Sequence, residues 1–335
     1  MKTCFVSRLG GAGDVLHASH LPKLIKEYYG VDKLDWETNY HGMHILQNNP
    51  YIDNLIFLDQ NSLTYNRMSK NLEWARFKYD LVFDLSNTIE KEYCVNENDW
   101  RYYTSDKFRR EKFGKKSYYD VMVDAIGLPE SYYGNRGQLY YFDDEHSGAK
   151  NWVDKTKEKY NADNIILVNL SGSTLHKKFT QAESICKKVL ERHPESLIVI
   201  TGDKHCKSQI FTHDRIINKV SLEEGSGWNF RTVALMTKYM DLTVSLESGL
   251  ILIAHSWDAP ALQLLTAASW DNHVKYAKNA YWLQAETVCS PCHKNPREYF
   301  GCPVVDRHPG CVYFDEDKVL NKIEEAIYVS STAIA

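Results

Sequence analysis

An aspartate at the start of a helix is the first group in this chain that could do chemistry. Asp14 follows a short β-favouring run, residues 2–7, and the three glycines Gly10, Gly11 and Gly13. A dinucleotide-binding loop would present bare backbone N–H groups to a pyrophosphate at such a helix start. A carboxylate there repels phosphate, and it could accept a proton from an acceptor hydroxyl. The alternative is that Asp14 only caps the helix, because Asp satisfies free N–H groups at the positive end of the helix dipole.

A second group of polar residues follows a predicted strand in the other half of the chain. It combines small hydroxyl residues, a glycine and two lysines, namely Ser171, Gly172, Ser173, Thr174, Lys177 and Lys178. Hydroxyls, backbone N–H groups and a lysine after a strand suit a phosphate, although no Walker motif is present. The alternative is a serine-rich turn with solvated lysines.

A third group lies at the end of the predicted strand 241–246. Glu247, Ser248 and Gly249 follow that strand and precede an apolar helix. A carboxylate, a hydroxyl and a helix N-terminus could together bind the hydroxyls and phosphate of one ligand. Ligands of open α/β sheets bind outside the carboxyl ends of the strands, which is where this group and the preceding one lie. Helix capping by Glu247 or Ser248 is the alternative.

Four cysteines lie within one loop-rich segment, residues 285–314. They follow the pattern C-x2-C-x9-C-x8-C and are Cys289, Cys292, Cys302 and Cys311. Thiolates so close in sequence suit tetrahedral zinc or a single iron. Disulfides are the alternative, and the neighbouring His293 and His308 could replace a cysteine as ligands. The remaining cysteines are scattered and are expected to be reduced thiols, namely Cys4, Cys94, Cys186 and Cys206.

Residues 95–117 interleave basic and aromatic side chains. This mixture suits an anionic, ring-bearing acceptor, and a merely solvated surface is the alternative. The candidate acceptor-binding residues are Arg101, Arg109, Arg110 and Lys112.

An alternation of strand-like and helical patterns must position all of these groups. The strand-like runs are residues 4–7, 34–38, 54–59, 80–85, 164–170, 196–201, 241–246 and 260–265. This βαβ rhythm predicts parallel sheets in two α/β halves. A polar helix and linker around residues 143–162 separates them, so we expect domains at 1–150 and 151–335.

Composition narrows the class of protein. The chain has 335 residues, 43% of them hydrophobic, and a formal net charge of −4. These values indicate a globular protein and exclude one that coats nucleic acid. The sequence shows no signal pattern and no apolar run of about 20 residues, so a cytoplasmic location is expected.

Taken together, the motifs resemble glycosyltransferase family 9, the bacterial heptosyltransferases, including autotransporter heptosyltransferases. The resemblance covers most of the chain and is most specific in the run from Arg8 to Pro22. It continues through Tyr79 to Leu85, the glycine-hydroxyl-lysine motif that ends at Phe179, the group 247–249 and the late cysteines.

The resemblance implies a GT-B architecture, in which two Rossmann-like domains face a cleft. The first domain would bind the acceptor and the second a nucleotide-sugar, typically ADP-heptose. Asp14 would be the general base and Lys177 would neutralise the donor phosphates, with Lys178 as the alternative. The other implied donor-binding residues are Gly13, Ser171, Gly172, Ser173, Thr174, Glu247, Ser248 and Gly249. The cysteine cluster would be a structural metal site, and no catalytic metal is expected.

Two departures from the family pattern leave the donor sugar open. The usual Asp-Thr-Gly motif, followed three residues later by His, reads Glu247-Ser248-Gly249 and Leu252 here. The usual Lys-x-Trp-Pro motif reads Lys-Lys-Phe-Thr at residues 177–180. The acceptor is also open: a lipopolysaccharide core, a protein hydroxyl, or modified DNA bases. A non-catalytic nucleotide-sugar-binding protein is a further alternative, whereas Asp14 at the pyrophosphate position disfavours a nicotinamide-dependent oxidoreductase.

Overall fold

The computed structural model describes residues 1–59, 65–92, 99–223, 226–294, 302, 304–305 and 308–332. The chain divides into two compact units. The first comprises Met1–Tyr93 and Lys116–Phe142, and the second comprises Cys94–Lys115 and Asp143–Ala335. The longer stretch of the second unit thus begins at Asp143, and this unit also takes in most of the basic, aromatic stretch that the sequence placed in the first domain.

The first unit contains a four-stranded parallel sheet in the order β3-β2-β1-β4. Its strands are β1 (Thr3–Ser7), β2 (Lys33–Thr38), β3 (Asn54–Phe57) and β4 (Leu81–Asp84). All four confirm predicted runs. Strand β1 lies inside the sheet, with Cys4 opposite Leu34 on one side and Leu81 on the other.

The second unit contains a six-stranded parallel sheet in the order β10-β9-β8-β5-β6-β7. Its strands are β5 (Asn164–Asn169), β6 (Ser196–Thr201), β7 (Ile216–Asn218), β8 (Leu242–Leu246), β9 (Ala261–Leu265) and β10 (Ala280–Gln284). Every residue of the four inner strands is buried, as continuous apolar runs in parallel sheets predict. The edge strands β7 and β10 were not predicted, and a short antiparallel pair follows, β11 (Val304–Val305) with β12 (His308–Pro309).

Helices connect these strands. They are α1 (Ala12–Ala18), α2 (Leu21–Tyr29), α3 (Tyr40–Leu46), α4 (Tyr65–Lys78), α5 (Thr88–Glu92), α6 (Asp106–Phe113), α7 (Tyr118–Ala125), α8 (Asp143–Tyr160), α9 (Ala182–Arg192), α10 (Phe230–Met236), α11 (Gly249–Ser256), α12 (Trp270–His273) and α13 (Glu316–Thr332). Within the described residues, no helix is both long and apolar enough to cross a membrane.

The strand order shows at which pair of neighbouring strands each sheet can bind a ligand. In the first unit the order reverses between β1 and β4, and in the second between β5 and β8. Open α/β sheets bind ligands at such switch points, outside the carboxyl ends of the strands. Asp14 follows β1, the group 171–178 follows β5, and Glu247 follows β8. The predicted α/β class with two Rossmann-like units is therefore confirmed.

Candidate functional site

Asp14 lies in the first turn of α1, beyond the end of β1. Its Oδ2 accepts a hydrogen bond from the backbone N–H of Gly11 at 2.8 Å, so the carboxylate does cap the helix. Gly10 has a φ of +135°, and a Cβ there would lie 2.7 Å from Asp14 Oδ2. Both the positive φ and the lack of space for a side chain therefore require glycine at that position. The side chain of Asp14 is 34% exposed, so capping leaves it accessible to solvent.

A buried arginine supports this carboxylate. Arg8 is inaccessible to solvent, and its guanidinium donates to the backbone oxygens of Leu85 at 2.9 Å and Asp14 at 3.1 Å. Its Nη2 lies 3.7 Å from Asp14 Oδ1, and its Nη1 lies 3.9 Å from Glu90 Oε2. Since a buried charge is costly unless it is compensated, both carboxylates stabilise Arg8. Asp14 thus has a structural role in addition to its predicted chemical one.

In the second unit, Asn169 joins the loop after β5 to the start of α11. Its amide nitrogen donates to Ser171 O at 2.8 Å, Ser245 Oγ at 3.0 Å and Ser248 Oγ at 3.2 Å. Ser248 caps α11 by accepting from Ile251 N at 3.4 Å. Two of the three predicted groups are therefore held together. Sequence reasoning missed Asn169 and Ser245, whose only signal was a polar residue at the end of an apolar strand.

Lys177 lies against the glycine of the loop. A Cβ at Gly172 would overlap the Cβ and the carbonyl oxygen of Lys177, so the loop fits around this lysine only with glycine there. Lys177 and Lys178 are both half-buried, and neither ammonium has a hydrogen-bond or ion-pair partner among the residues described. Ser173 is exposed and Thr174 is half-buried. Thr174 Oγ1 lies 3.2 Å from His176 Nδ1, so two cations and the exposed hydroxyl of Ser173 are available to a ligand at this loop.

Glu247 is buried and holds the turn after β9. Its Oε1 accepts from the backbone N–H groups of Thr266, Ala267 and Ala268 at 2.7, 2.8 and 2.9 Å. Burial alone would raise the pKa of this carboxyl. Attraction to His273 and Lys177, together with the backbone hydrogen bonds, outweighs burial and lowers the pKa to about 2. Glu247 is therefore ionised, and one of its oxygens is committed to the turn.

Buried histidines that the sequence did not single out lie near Glu247. His255 Nε2 lies 3.0 Å from Gln263 Oε1, and Gln263 Nε2 lies 2.8 Å from His273 Nδ1. Burial lowers the pKa of His273 to about 4 and that of His176 to about 4, so both rings are neutral at pH 7. Their signal was weak, because an isolated histidine in an apolar helix or turn resembles any other core residue.

The four candidate acceptor-binding residues lie in different environments. Arg109 is buried, whereas Lys112 is exposed. Arg101 pairs with Asp99 at 2.5 Å, and Arg110 donates to the backbone oxygen of Val288 at 3.2 Å. The guanidinium of Arg109 is engaged by protein atoms, which differs from the role in acceptor binding that the sequence predicted.

The four clustered cysteines line one small cavity, together with His176 and Lys294. The seven cysteines that the structure describes are free thiols, and Cys94 lies outside the described residues. Burial, followed by the neighbouring thiols Cys289 and Cys302, raises the pKa of Cys292 to about 12. Among the described residues, no three potential ligands are arranged closely enough to hold a metal ion. The thiols thus face a common space without forming a closed ligand shell.

Comparison by sequence finds no matching family model and no matching curated protein. Comparison by structure finds similar folds. A family 9 glycosyltransferase from Veillonella parvula has a TM-score of 0.70 at 13% identity, over 98% of this chain and 97% of that chain. The ADP-heptose lipopolysaccharide heptosyltransferase II of E. coli has a TM-score of 0.64 at 12% identity, over 99% and 100%.

A third similar structure is TibC, a dodecameric iron-containing heptosyltransferase from enterotoxigenic E. coli, in complex with ADP-D-β-D-heptose. It has a TM-score of 0.60 at 9% identity, over 100% of this chain and 77% of that chain. At these identities the likeness defines the fold, which is of the GT-B class. More particularly, the chain has the fold of the family 9 glycosyltransferases, so the resemblance that the motifs predicted is confirmed at the level of fold.

We predict that Glu247→Gln destabilises the second unit by about 1.5–3 kcal/mol at pH 7, the usual value of hydrogen bonds to a charged group. The folded pKa of about 2 lies below the ordinary 4.5, so the stabilisation is present above pH 4.5 and is lost as the pH falls toward 2. Urea denaturation of wild type and variant between pH 7 and pH 3.5 measures this. The difference in free energy of unfolding between wild type and variant should become smaller below pH 4.5. A difference that is absent, or that does not depend on pH, would contradict the role of the charge. Glu183→Gln, at an exposed ion pair with Lys187, is the control.

Proposed function

We propose that the chain is an inverting glycosyltransferase that moves a sugar from a nucleoside-diphosphate sugar to an acceptor hydroxyl. The observation that best supports this is the link through Asn169 between the loop carrying Lys177 and the capped start of α11. In this proposal the ammonium of Lys177, which has no hydrogen-bond partner among the described residues, acts at the switch point of the second sheet together with hydroxyl groups and the N-terminus of α11. Those groups suit a diphosphate.

In this proposal the donor diphosphate binds at the loop after β5 and at the start of α11. Ser173 offers a hydroxyl, and Ser171 and Thr174, whose hydroxyls contact Asn169 and His176, line the same loop. Ser248 and Gly249 begin the helix. When the bond between the anomeric carbon and the diphosphate breaks, negative charge grows on the departing oxygen. The ammonium of Lys177, with Lys178 beside it, stabilises that charge. Glu247 acts on the donor through the turn that it holds.

In the first unit, Asp14 is the proposed general base. Its Oδ2 is occupied by Gly11 N, which leaves Oδ1 to accept the proton of the acceptor hydroxyl. The hydroxyl oxygen then bonds to the anomeric carbon on the face opposite the diphosphate. Arg8 Nη2 lies 3.7 Å from Oδ1 and helps to hold the carboxylate in place. Gly13, in the first turn of α1, is a further proposed contact.

ADP-heptose is the proposed donor. The names of two similar structures specify it, although Glu247-Ser248-Gly249 departs from the family motif. The proposed acceptor is a lipopolysaccharide core or a protein hydroxyl, approached by Arg101, Arg110 and Lys112. The exposed lysines of α6 also support a second candidate, transfer to modified DNA bases, and DNA binding that weakens with salt would favour it. A cytoplasmic location is part of the proposal, because free thiols persist in a reducing compartment.

We further propose that Cys289, Cys292, Cys302 and Cys311 hold a structural zinc or iron ion. Four thiols facing one cavity fit either metal by donor type, and the similar TibC is described as iron-containing. Binding requires the thiols to move together and lose their protons, so the metal stabilises the segment by closing it.

We predict that Asp14→Asn lowers the rate of transfer by about 10²–10⁴-fold, the usual effect of losing a general base, and leaves ADP affinity unchanged. ADP release from ADP-heptose in the presence of lipopolysaccharide core measures transfer. Glu90→Gln removes the other carboxylate beside Arg8 and is the matched control for lost stability. A folded Asp14→Asn protein with the wild-type rate would show that Asp14 is only a cap, and ADP-heptose binding without turnover would indicate a non-catalytic binding protein.

Lys177→Ala should weaken ADP-heptose binding and slow transfer by about 10²-fold or more, because the developing charge loses its cation. Lys178→Ala is the matched control and should have a smaller effect. Donor titration and initial rates distinguish the two variants. Equal tolerance of both substitutions would reject the proposed diphosphate site.

Cys302→Ser should lower metal content and thermal stability together, because the free energy of metal binding contributes to folding of the segment. Elemental analysis of protein purified without chelator, paired with thermal denaturation, measures both. Cys206→Ser, at a buried thiol outside the cavity lining, is the control and should retain the metal. Wild-type protein without stoichiometric zinc or iron would rule out the centre.

A further inference from the structure

Residues 99–115, here called the basic segment, belong to the second unit. In the chain they lie between two stretches of the first unit. They consist of a short 3₁₀ turn, Trp100–Tyr103, and helix α6. The surface that they contact includes residues 288–294, here called the cysteine loop, which carries Cys289 and Cys292. The contacts between the two stretches are specific hydrogen bonds and ring contacts.

Arg109 forms the central contact. It is 1% exposed, and its Nε donates to the backbone oxygen of Cys292 at 2.9 Å. Its Nη1 donates to the backbone oxygens of Tyr102, at 3.1 Å, and Thr104, and its Nη2 pairs with Asp106. One guanidinium therefore organises the basic segment and joins it to a cysteine of the cavity. A planar group with several donors is suited to this, and lysine cannot reproduce it.

Further contacts extend the junction. Arg110 donates to Val288 O at 3.2 Å, and the rings of Phe113 and His293 meet edge to face, 6.3 Å apart. Lys294 lines the cysteine cavity, and its ammonium lies 4.3 Å from the centre of the Tyr102 ring. The cysteine loop thus contacts both the 3₁₀ turn and helix α6 of the basic segment.

The turn after β9 and the helix α12 that follows it support the same segment from another side. Ser269 Oγ donates to Gly114 O at 2.8 Å, and Asn272 Nδ2 donates to Phe113 O at 3.2 Å. His293 N in turn donates to Ala267 O at 2.8 Å. The end of α6 is therefore held by the turn that Glu247 organises as well as by the cysteine loop.

The side of the basic segment that remains accessible carries lysines and aromatic rings. Lys107 is 83% exposed, and Lys112 and Lys115 are exposed as well. Trp100 is 71% exposed and Tyr103 is 67% exposed. These groups can meet an anionic acceptor, whereas Arg109 is committed to protein atoms.

We propose that Arg109 is a positioning residue that couples the cysteine cavity to the basic segment. Closing the cysteine loop fixes the backbone oxygen of Cys292, and Arg109 transmits that position to α6. The cysteine cavity thereby sets the place of the lysines and rings that face the acceptor. The part of this inference that concerns the metal and the acceptor rests on the proposed function, whereas the coupling rests on the contacts above.

Hydrogen exchange by mass spectrometry on the full chain tests the coupling, with metal content measured on the same samples. Arg109→Lys should speed exchange in peptides covering 99–115 by about tenfold or more, because a lost charged hydrogen bond favours local opening. Metal content and exchange at residues 285–294 should stay as in wild type. Lys107→Met, which removes an exposed charge from the same helix, is the control and should leave exchange unchanged.

A zinc and iron chelator provides the second arm. In wild type it should speed exchange in the cysteine loop and in the basic segment together, and in Arg109→Lys it should change only the cysteine loop. Unchanged protection of 99–115 in Arg109→Lys, or a wild-type response confined to the cysteine loop, overturns the coupling. A metal-free wild type would instead refute the metal centre, and the Arg109→Lys comparison would still decide the coupling. If Arg109→Lys does not fold, the chelator arm on the wild type decides alone, and faster exchange confined to the cysteine loop overturns the coupling.

Discussion

The buried carboxylate of Glu247 is the group on which the site of the second unit depends. A single oxygen accepts three backbone N–H groups from residues 266–268, so the turn after β9 is fixed against the end of β8. That turn accepts a hydrogen bond from the backbone of His293 and, through Ser269, donates one to Gly114. The start of α11, the cysteine loop and the basic segment therefore share one anchor. An ionised group can serve as that anchor because its donors replace the water that it loses on burial.

The first unit also depends on a buried charge, but there the buried group is a cation and its partners are carboxylates. Arg8 is a buried cation at the end of β1, and the carboxylates of Asp14 and Glu90 balance it. The glycine at position 10 leaves room for the carboxylate of Asp14. In this arrangement a group that caps a helix is also a candidate base. The capping and chemical interpretations of Asp14 are thus compatible, because the two roles use different oxygens.

The basic segment shows why charge runs are hard to interpret from sequence. Arg109 and Lys112 lie three residues apart in the same helix, yet one is buried and the other is exposed. Composition gives both residues the same prediction, an anion-binding surface. The difference arises because α6 packs one side against the cysteine loop, and that partner lies about 180 residues away in the chain. The residues around α6 in the sequence therefore do not show which part of the chain packs against it.

The sequence alone determined the two α/β halves, eight of the strands and the placement of Asp14, Lys177 and Glu247 after strands. These features depend on apolar runs, glycines and residue order, which act over a few neighbouring residues. The tertiary structure decided which strands adjoin, and hence that Asn169 contacts Ser245 and Ser248. It also decided the edge strands β7 and β10, one of which has only three residues, while neither contains a fully buried residue. Burial and hydrogen-bond partners belong to residues distant in sequence, so only the folded chain could assign them.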